Sequence, residues 1–478
     1  MYLGIDMGTS GIKAILINDD QTIIGSAHAR LTVQRPHIGW SEQDPKEWVT
    51  ALDQCMHALK EAAPNALAKV QGIGLSGHMH GATLLDKDGS VLRPCLLWND
   101  TRAHAQAHIL DTNKAFRAIS GNIVFPGFTA PKVLWVAENE PDVFAHCYKV
   151  LLPKDYLRFY LTGDYVSDLS DASGTSWLDV RSRTWSSELL SAVGLSVDHM
   201  PDLVEGNEVS GHLKPELATR WGIKGTPVIA GGAGDNAATA IGSGVIKNGQ
   251  GFLSLGTSGV LFTATDSYSA APETAVHSFC HAIPNTWHHM GVILSAVDAL
   301  NWHAGIMGSS APDLVEELGS ELRAPTSVRF LPYLSGERTP HNDAHVRGSF
   351  HGLSHSTTRA DLTQAVLEGV AFALLDNKRA LSNAGSTITS LIAMGGGSNS
   401  DYWLALIATV LNTEIHRPES GDLGASLGAA RLGMLAHTGE PIDAICTTPS
   451  ISKTFEPNNK YSDAFTAAYD DFKSLYRE

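Results

Sequence analysis

Three things are scarce in this 478-residue sequence, and each scarcity removes a class of function. Cysteine is the first. Cys55, Cys95, Cys147, Cys280 and Cys446 are scattered with no Cys-x-x-Cys pair, so neither a disulfide framework nor a zinc site is suggested. Long apolar runs are the second. None approaches the roughly 18 residues of a membrane span, and the N-terminal stretch MYLGIDMG lacks the basic and apolar segments of a signal peptide. The expected location is the cytoplasm. Positive charge is the third: 34 Lys and Arg face 50 Asp and Glu, the net charge is −16, and no Lys/Arg-rich run occurs. Nucleic acid and membrane surfaces are therefore not expected partners. An anionic ligand must be met by backbone N–H groups, a metal ion and a few cations. Gly-x-x-x-x-Gly-Lys-Ser/Thr is also missing, which excludes a P-loop enzyme.

What is present describes a globular chain of about two to four domains, with 43% hydrophobic and 18% charged residues. Residues 228–259 hold two chemical devices. A strand over Thr226–Ala230 runs into glycines and then Asp235–Asn236. Further on, Gly256-Thr257-Ser258-Gly259 forms a turn between apolar stretches. Its twin, Gly8-Thr9-Ser10-Gly11, joins expected strands Tyr2–Met7 and Ile12–Asn18, with Thr22–His28 returning beside them. Asp44 caps a helix that opens at Pro45 and runs through Leu59, and Val70–Ser76 is a strand. Residues 163–185 read as a long ordered loop. After a second meander over Gly251–Ile293, a strong helix spans Asp361–Ala384. Ile388–Met394 then runs into Gly395-Gly396-Gly397-Ser398, followed by helices over Asp401–Leu411, 421–435 and 460–476. Each half thus begins with a strand–Gly-Thr-Ser–strand hairpin and later sends an apolar strand into a glycine-rich bend (71–81 and 391–398). Two related α/β lobes with a cleft between them follow, divided as 1–244 and 245–478, with the C-terminal helix a candidate to return to the first lobe.

The twin turns suit the phosphates of a nucleotide, with Thr9, Ser10, Gly256 and Thr257 offering N–H groups and hydroxyls, Lys13 a charge, and Asp6 a Mg²⁺ ion. A plain hairpin turn would use the same residues. Gly395, Gly396 and Gly397 with Asn399 would let a nucleoside approach the backbone, or serve only tight strand–helix packing. Asp235 is either a general base or the cap of the helix that follows it. Asn236 can hold a sugar through both donor and acceptor. His78-Met79-His80 reads as polar pocket residues rather than a His-x-His metal site. Trp98 suits a sugar face or a core position equally. Gly72-x-Gly74-x-x-Gly77 is a poor dinucleotide fingerprint, because its glycines fall inside a strand. Gly232-x-Gly234-x-x-Ala237 has no acidic residue near the required spacing.

The chain resembles the FGGY carbohydrate kinases over nearly its whole length. Gly127-x-Thr129-x-x-Lys132-Val133-x-Trp135 resembles the first signature of that family. Gly348-x-Phe350-x-Gly352-Leu353 followed by Asp361-Leu362-x-x-Ala365-Val366-Leu367-Glu368 resembles the second. Trp40–Pro45, Met79-His80-Gly81, Leu152–Leu157 and Tyr333–Pro340 resemble the ketopentose kinases within it. The resemblance implies an actin-like, ribonuclease-H-like fold in two lobes that close over ATP and sugar. It implies ATP- and Mg²⁺-dependent phosphorylation of D-xylulose at O5, with Asp235 as proton acceptor. Met79, His80 and Asn236 touch the sugar, with Trp98 packed on it. Asp6 and the Gly-Thr-Ser turns hold Mg²⁺ and phosphates, and Gly395–Gly397 face the nucleoside. A glutamine usually precedes Met-His-Gly, and His78 stands there instead, so a related ketose or polyol stays open. A ketopentose and ATP are the expected partners, and a homodimer is one assembly the sequence leaves open.

Overall fold

The protein is described by a computed structural model over residues 1–419 and 424–476. It divides into two compact units. One comprises Met1–Ile246, Phe279–Trp287 and Asp422–Thr448. The other comprises Lys247–Ser278, His288–Gly421 and Pro449–Glu478. The first break lies two residues from the boundary read at 244/245, but the second half of the chain is shared between the units. The C-terminal helix, Ser462–Leu475, does not return to the first unit. It buries Phe465, Tyr469 and Phe472 in the core of the second. The helix that does return is Ala425–Thr438.

In the first unit a seven-stranded sheet runs in spatial order Val209–His212, Val228–Ala230, Gly72–Gly77, Tyr2–Gly8, Gly11–Ile17 and Ile23–Arg30, with Ala233–Gly234 also paired to Gly72–Gly77. Tyr2–Gly8 pairs antiparallel with Gly11–Ile17 and parallel with Gly72–Gly77, so it is central and buried on both faces. The helix Pro45–Ala62 makes the crossover between them. Asp44 caps it by accepting the Lys46 N–H at 3.0 Å, and Trp48, Leu52, Met56 and Leu59 form its buried stripe.

The helix Ala425–Thr438 starts later than the span read from the sequence, whose residues 421–423 lie outside those described. It runs unbroken through Gly428 and Gly433, and it lies flat on the sheet. A Cβ on Gly4 would stand 2.0 Å from the Ser426 carbonyl oxygen, and one on Gly74 1.8 Å from that of Ala429. Gly72-x-Gly74 is thus the floor for a helix backbone, which accounts for glycines inside a strand.

Residues 163–185 are not a loop. They contain the strand Val166–Asp168, the helix Leu169–Ala172 and a 3₁₀ turn over Ser173–Thr175, and every residue from 166 to 178 is buried. Lys154, from the preceding helix, forms ion pairs with Asp168 and Asp171 of this segment.

The second unit repeats the plan. A second sheet, whose strands lie in this unit apart from Phe279, Cys280 and Trp287, runs His277–Cys280, Trp287–Ile293, Gly259–Thr265, Gln250–Leu255, Ser390–Met394, Glu414–Pro418 and Ile451–Phe455. Gln250–Leu255 pairs antiparallel with its hairpin partner Gly259–Thr265 and parallel with Ser390–Met394. The topology of the first sheet therefore recurs, with the glycine-rich bend again following the parallel neighbour. The 25-residue helix Arg359–Asn383, capped by Thr358 and Asp361 in a capping box, crosses the core of this unit.

Candidate active site

Asp235 is carried out of the sheet on a short path. Ala233 and Gly234 pair with Ser76 and Gly77, and the helix Asp235–Gly242 begins immediately. Gly234 occupies the cap position, and Asp235 is the first helical residue. Its Oδ1 accepts from the Asn236 backbone N–H at 2.7 Å and from Asn236 Nδ2 at 3.0 Å. The carboxylate therefore binds its own neighbour rather than capping the turn beyond. Burial, and then the charge of Asp6, push its pKa up to about 6, against the pull of the Asn236 bonds. Asp6 lies on Tyr2–Gly8, in register with Lys13 on one side and Ser76 on the other. Burial raises it as well, while Ser76 and Lys13 draw it back. A buried carboxylate raised by the charge of a second one is a site that favours either a proton or a cation.

His80 sits at φ +72°, a left-handed conformation costly for a side chain of its kind. Four contacts hold it there. Its ring stacks on Phe128 at 4.3 Å, its Nδ1 bonds the Gly174 carbonyl at 2.7 Å, and its own carbonyl accepts from Thr129 Oγ1 and Lys132 Nζ, each at 2.9 Å. Lys132 is fully buried and also donates to the Leu97 carbonyl at 2.8 Å, so one ammonium steadies His80 and the turn that carries Trp98. Burial lowers that ammonium to about 7. Met79 packs beside the Asp235 turn, where a Cβ on Gly234 would come 2.8 Å from its Cγ. Trp98 is 47% exposed, not a core residue, and its Nε1 donates to Thr9 Oγ1 at 2.9 Å. His78 is buried edge-on to Trp48, with its pKa lowered to about 4 by burial. Among the described residues His78 and His80 belong to no group spaced to hold a metal ion.

The first Gly-Thr-Ser turn points its carbonyls inward, Thr9 accepting from Gln43 Nε2 and Ser10 from the Leu31 N–H. Ser10 is exposed at its tip, and Lys13 lies half-buried behind it. In the second unit the Gly256 and Thr257 carbonyls accept from the N–H groups of Val297 and Ala296, at 3.0 and 2.9 Å, where the helix Val297–Met307 begins. The three glycines after Met394 divide by role. Gly395 stands at φ +83° against the Leu255 carbonyl, and a Cβ on Gly397 would strike Leu255 Cβ at 2.8 Å. Gly396 faces open space. It lines a cavity of about 920 Å³ with Gly397, Asn399, Leu300, Pro312 and Val315. That volume suits a nucleoside.

Asp6, Thr9, Ser10, Lys13, Met79, His80, Trp98, Asp235 and Asn236 thus fall in the first unit, and Gly256, Thr257, Gly395, Gly396, Gly397 and Asn399 in the second. Reading the sequence alone does not find the supports of His80. Thr129 and Lys132 enter only as signature residues, and Gly174 carries no signal at all.

This fold and this donor set define a class. A family model for the N-terminal domain of the FGGY family of carbohydrate kinases matches residues 1–242, and one for its C-terminal domain matches residues 251–437. The chain belongs to the FGGY family of carbohydrate kinases, and the two-unit α/β fold is the one expected of it. Among curated relatives, the xylulose kinase of Escherichia coli (strain K12) is 45% identical over 100% of this chain and 99% of its own length. That of Klebsiella pneumoniae is 49% identical over 91% and 90%. A crystal structure described as a xyloylose kinase from Brucella ovis is 58% identical, covers 99% of this chain and 98% of that one, and superposes with a TM-score of 0.98. Glycerol kinase from Plasmodium falciparum, at 20% identity and a TM-score of 0.90 over 100% and 98% of the two chains, shares the fold.

Proposed function

We propose that the protein transfers the γ-phosphoryl group of ATP to O5 of D-xylulose, giving D-xylulose 5-phosphate and ADP in pentose catabolism. The observation that carries the chemistry is Asp235, a carboxylate on the first turn of a helix whose pKa is lifted to about 6. A base there is mostly ionised at neutral pH yet basic enough to take a hydroxyl proton. The O5 proton passes to the Asp235 carboxylate as O5 bonds the γ-phosphorus. The bond to the bridging oxygen breaks, and ADP leaves with that electron pair. Met79, His80, Asn236 and Trp98 hold the sugar. Thr9, Ser10, Lys13, Gly256 and Thr257 hold phosphates, and Gly395, Gly396, Gly397 and Asn399 take the nucleoside. Asp6 is the residue that would hold Mg²⁺. Its oxygen donors suit a hard cation, and a positive charge there relieves the mutual repulsion of Asp6 and Asp235. When bound, that ion neutralises phosphate charge.

The choice of D-xylulose is supported by relatives that match end to end and carry that name. His78, in the place where the family usually has glutamine, favours a second reading within the same family, a ketose or polyol of similar size. ADP release measured across D-xylulose, D-ribulose, glycerol and pentitols separates the two, and a preference for any of the others overturns the first. Asp235→Ala is expected to fold with an unchanged circular dichroism spectrum and to lose at least about 10³-fold in kcat. A variant with near-full kcat removes Asp235 as the base. The chain acts in the cytoplasm on small molecules, and light scattering on the purified protein tests the homodimer.

A further inference from the structure

Beneath the Asp235 turn lies a knot of charge that the transfer step does not use. Lys154 and Arg158 project from the helix Pro153–Thr162, and Asp155, Asp168 and Asp171 surround them, all buried. The three carboxylates are close enough together to share an ion. Lys154 Nζ already reaches all of them, at 2.7 Å from Asp168 Oδ2 and 3.4 Å from Asp171 Oδ2. Burial holds the Asp171 carboxyl well above the ordinary range despite that ammonium. Two cations thus lie among three buried carboxylates, with the Lys154 ammonium facing all three.

Two bonds lead from the knot to the turn. The Gly234 N–H donates to Ser170 Oγ at 3.1 Å, and the Ser170 hydroxyl donates to Asp168 Oδ1 at 2.5 Å. The Arg158 guanidinium donates to the Gly231 carbonyl, and also to Asp155 and the Val166 carbonyl. The same segment, residues 169–175, supplies the Gly174 carbonyl that fixes the His80 ring.

We propose that this knot is a positioning device for phosphoryl transfer, in which Ser170 and Arg158 lock the backbone of residues 231–234 and so present Asp235 in one orientation to the sugar that His80 holds. The proposal rests on the reading of Asp235 as the base. A fixed base makes the attack geometry part of the fold, and a displacement of about 1 Å can cost on the order of 10²-fold in rate. Ser170 is a positioning residue, acting through its bond to Gly234. Lys154 and the carboxylates keep its hydroxyl aimed.

The test uses the full chain with D-xylulose and MgATP. Ser170→Ala is expected to lower kcat about 10- to 100-fold while the KM for ATP stays within about twofold. Ser120→Ala is the structural control. Its buried hydroxyl also donates to the Phe116 carbonyl and accepts from the Asn122 N–H, and it makes no bond to the Asp235 turn. It is expected to keep kcat within about twofold. In an Asp235→Asn background, Ser170→Ala is expected to add less than about a twofold loss, because the two act as one unit. Wild-type kcat in Ser170→Ala, an equal loss in both serine variants, or an undiminished loss in the Asp235→Asn background overturns the proposal. If Asp235→Asn itself keeps near-full kcat, the base reading fails, and amide exchange at Gly234 then decides the tether. Exchange at least about tenfold faster in Ser170→Ala supports it, and an unchanged rate overturns it.

Discussion

Asp235 is a stronger base than an ordinary aspartate because it is removed from water beside a second carboxylate. The catalytic consequence is direct. As the proposed base, Asp235 would work only when ionised, so kcat/KM for the sugar is expected to fall about tenfold per unit of pH below roughly 6, and to be flat above it. A profile flat down to pH 5 removes the assignment. Stability moves the other way. A folded-state pKa above the unfolded value contributes stability that is complete below the unfolded pKa and is lost as pH rises through about 6. At pH 7.5 the ionised carboxylate therefore strains the unliganded protein, by on the order of 1–3 kcal/mol once partial exposure is allowed for. Asp235→Asn is expected to melt higher than the wild type at pH 7.5 and equally at pH 4. A shifted pKa is not itself a sign of catalysis. Glu368, buried in the helix Arg359–Asn383, is lifted to about 8 by burial while Gln364 and the Thr326 N–H pull against it, and its place is in the packing of the second unit. Glu368→Gln is expected to flatten the decline in stability between about pH 5 and 8, read by urea unfolding across that range.

At the scale of elements, legibility follows the range of the interaction that fixes each one. The hairpins around Gly8–Gly11 and Gly256–Gly259 and the capped helix at Pro45 were readable because turn and cap chemistry lies within a few residues of the element it shapes. The segment 163–185 was not. Its aspartates and serines look solvated in sequence, and the lysine and arginine that bury them come from a helix that precedes the segment. The one available signal was Lys154-Asp155 with Arg158 inside an otherwise apolar helix. Glycine permits close approach, but what approaches cannot be told from the glycine. At Gly72 and Gly74 it is a helix, and at Gly395 and Gly397 it is the neighbouring strand. Of these five glycines, Gly396 alone faces open space. Gly397→Ala is therefore expected to cost about 1–3 kcal/mol of stability through overpacking. Gly396→Ala is expected to melt within about 2 °C of the wild type and to raise the KM for ATP. Equal effects on melting and KM from both would mean that the bend has only a packing role.

For the whole molecule, the informative feature is that the first unit is assembled from three separated stretches of chain. Leu427, Ala430 and Met434 of the helix Ala425–Thr438 share a buried cluster with Tyr2, Ile15, Ala238 and Ile241. A fragment ending at Ile246 contains every residue proposed to touch the sugar, yet it leaves that face of its central sheet bare. Expressed alone, the fragment 1–246 is expected to show no cooperative thermal transition. A fragment that melts as sharply as the full chain would show that the returning helix is dispensable. The family boundaries conceal this dependence, since the C-terminal domain model includes that helix.

The returning helix also sets an order of events during synthesis. The stretch Met1–Ile246 leaves the ribosome first, but its last structural member follows roughly 200 residues later. At about 5–20 residues per second, that is an interval of about 10–40 s. Through that interval the glycine floor of the sheet waits without its helix, and the unit that begins first stays open while most of the second is made.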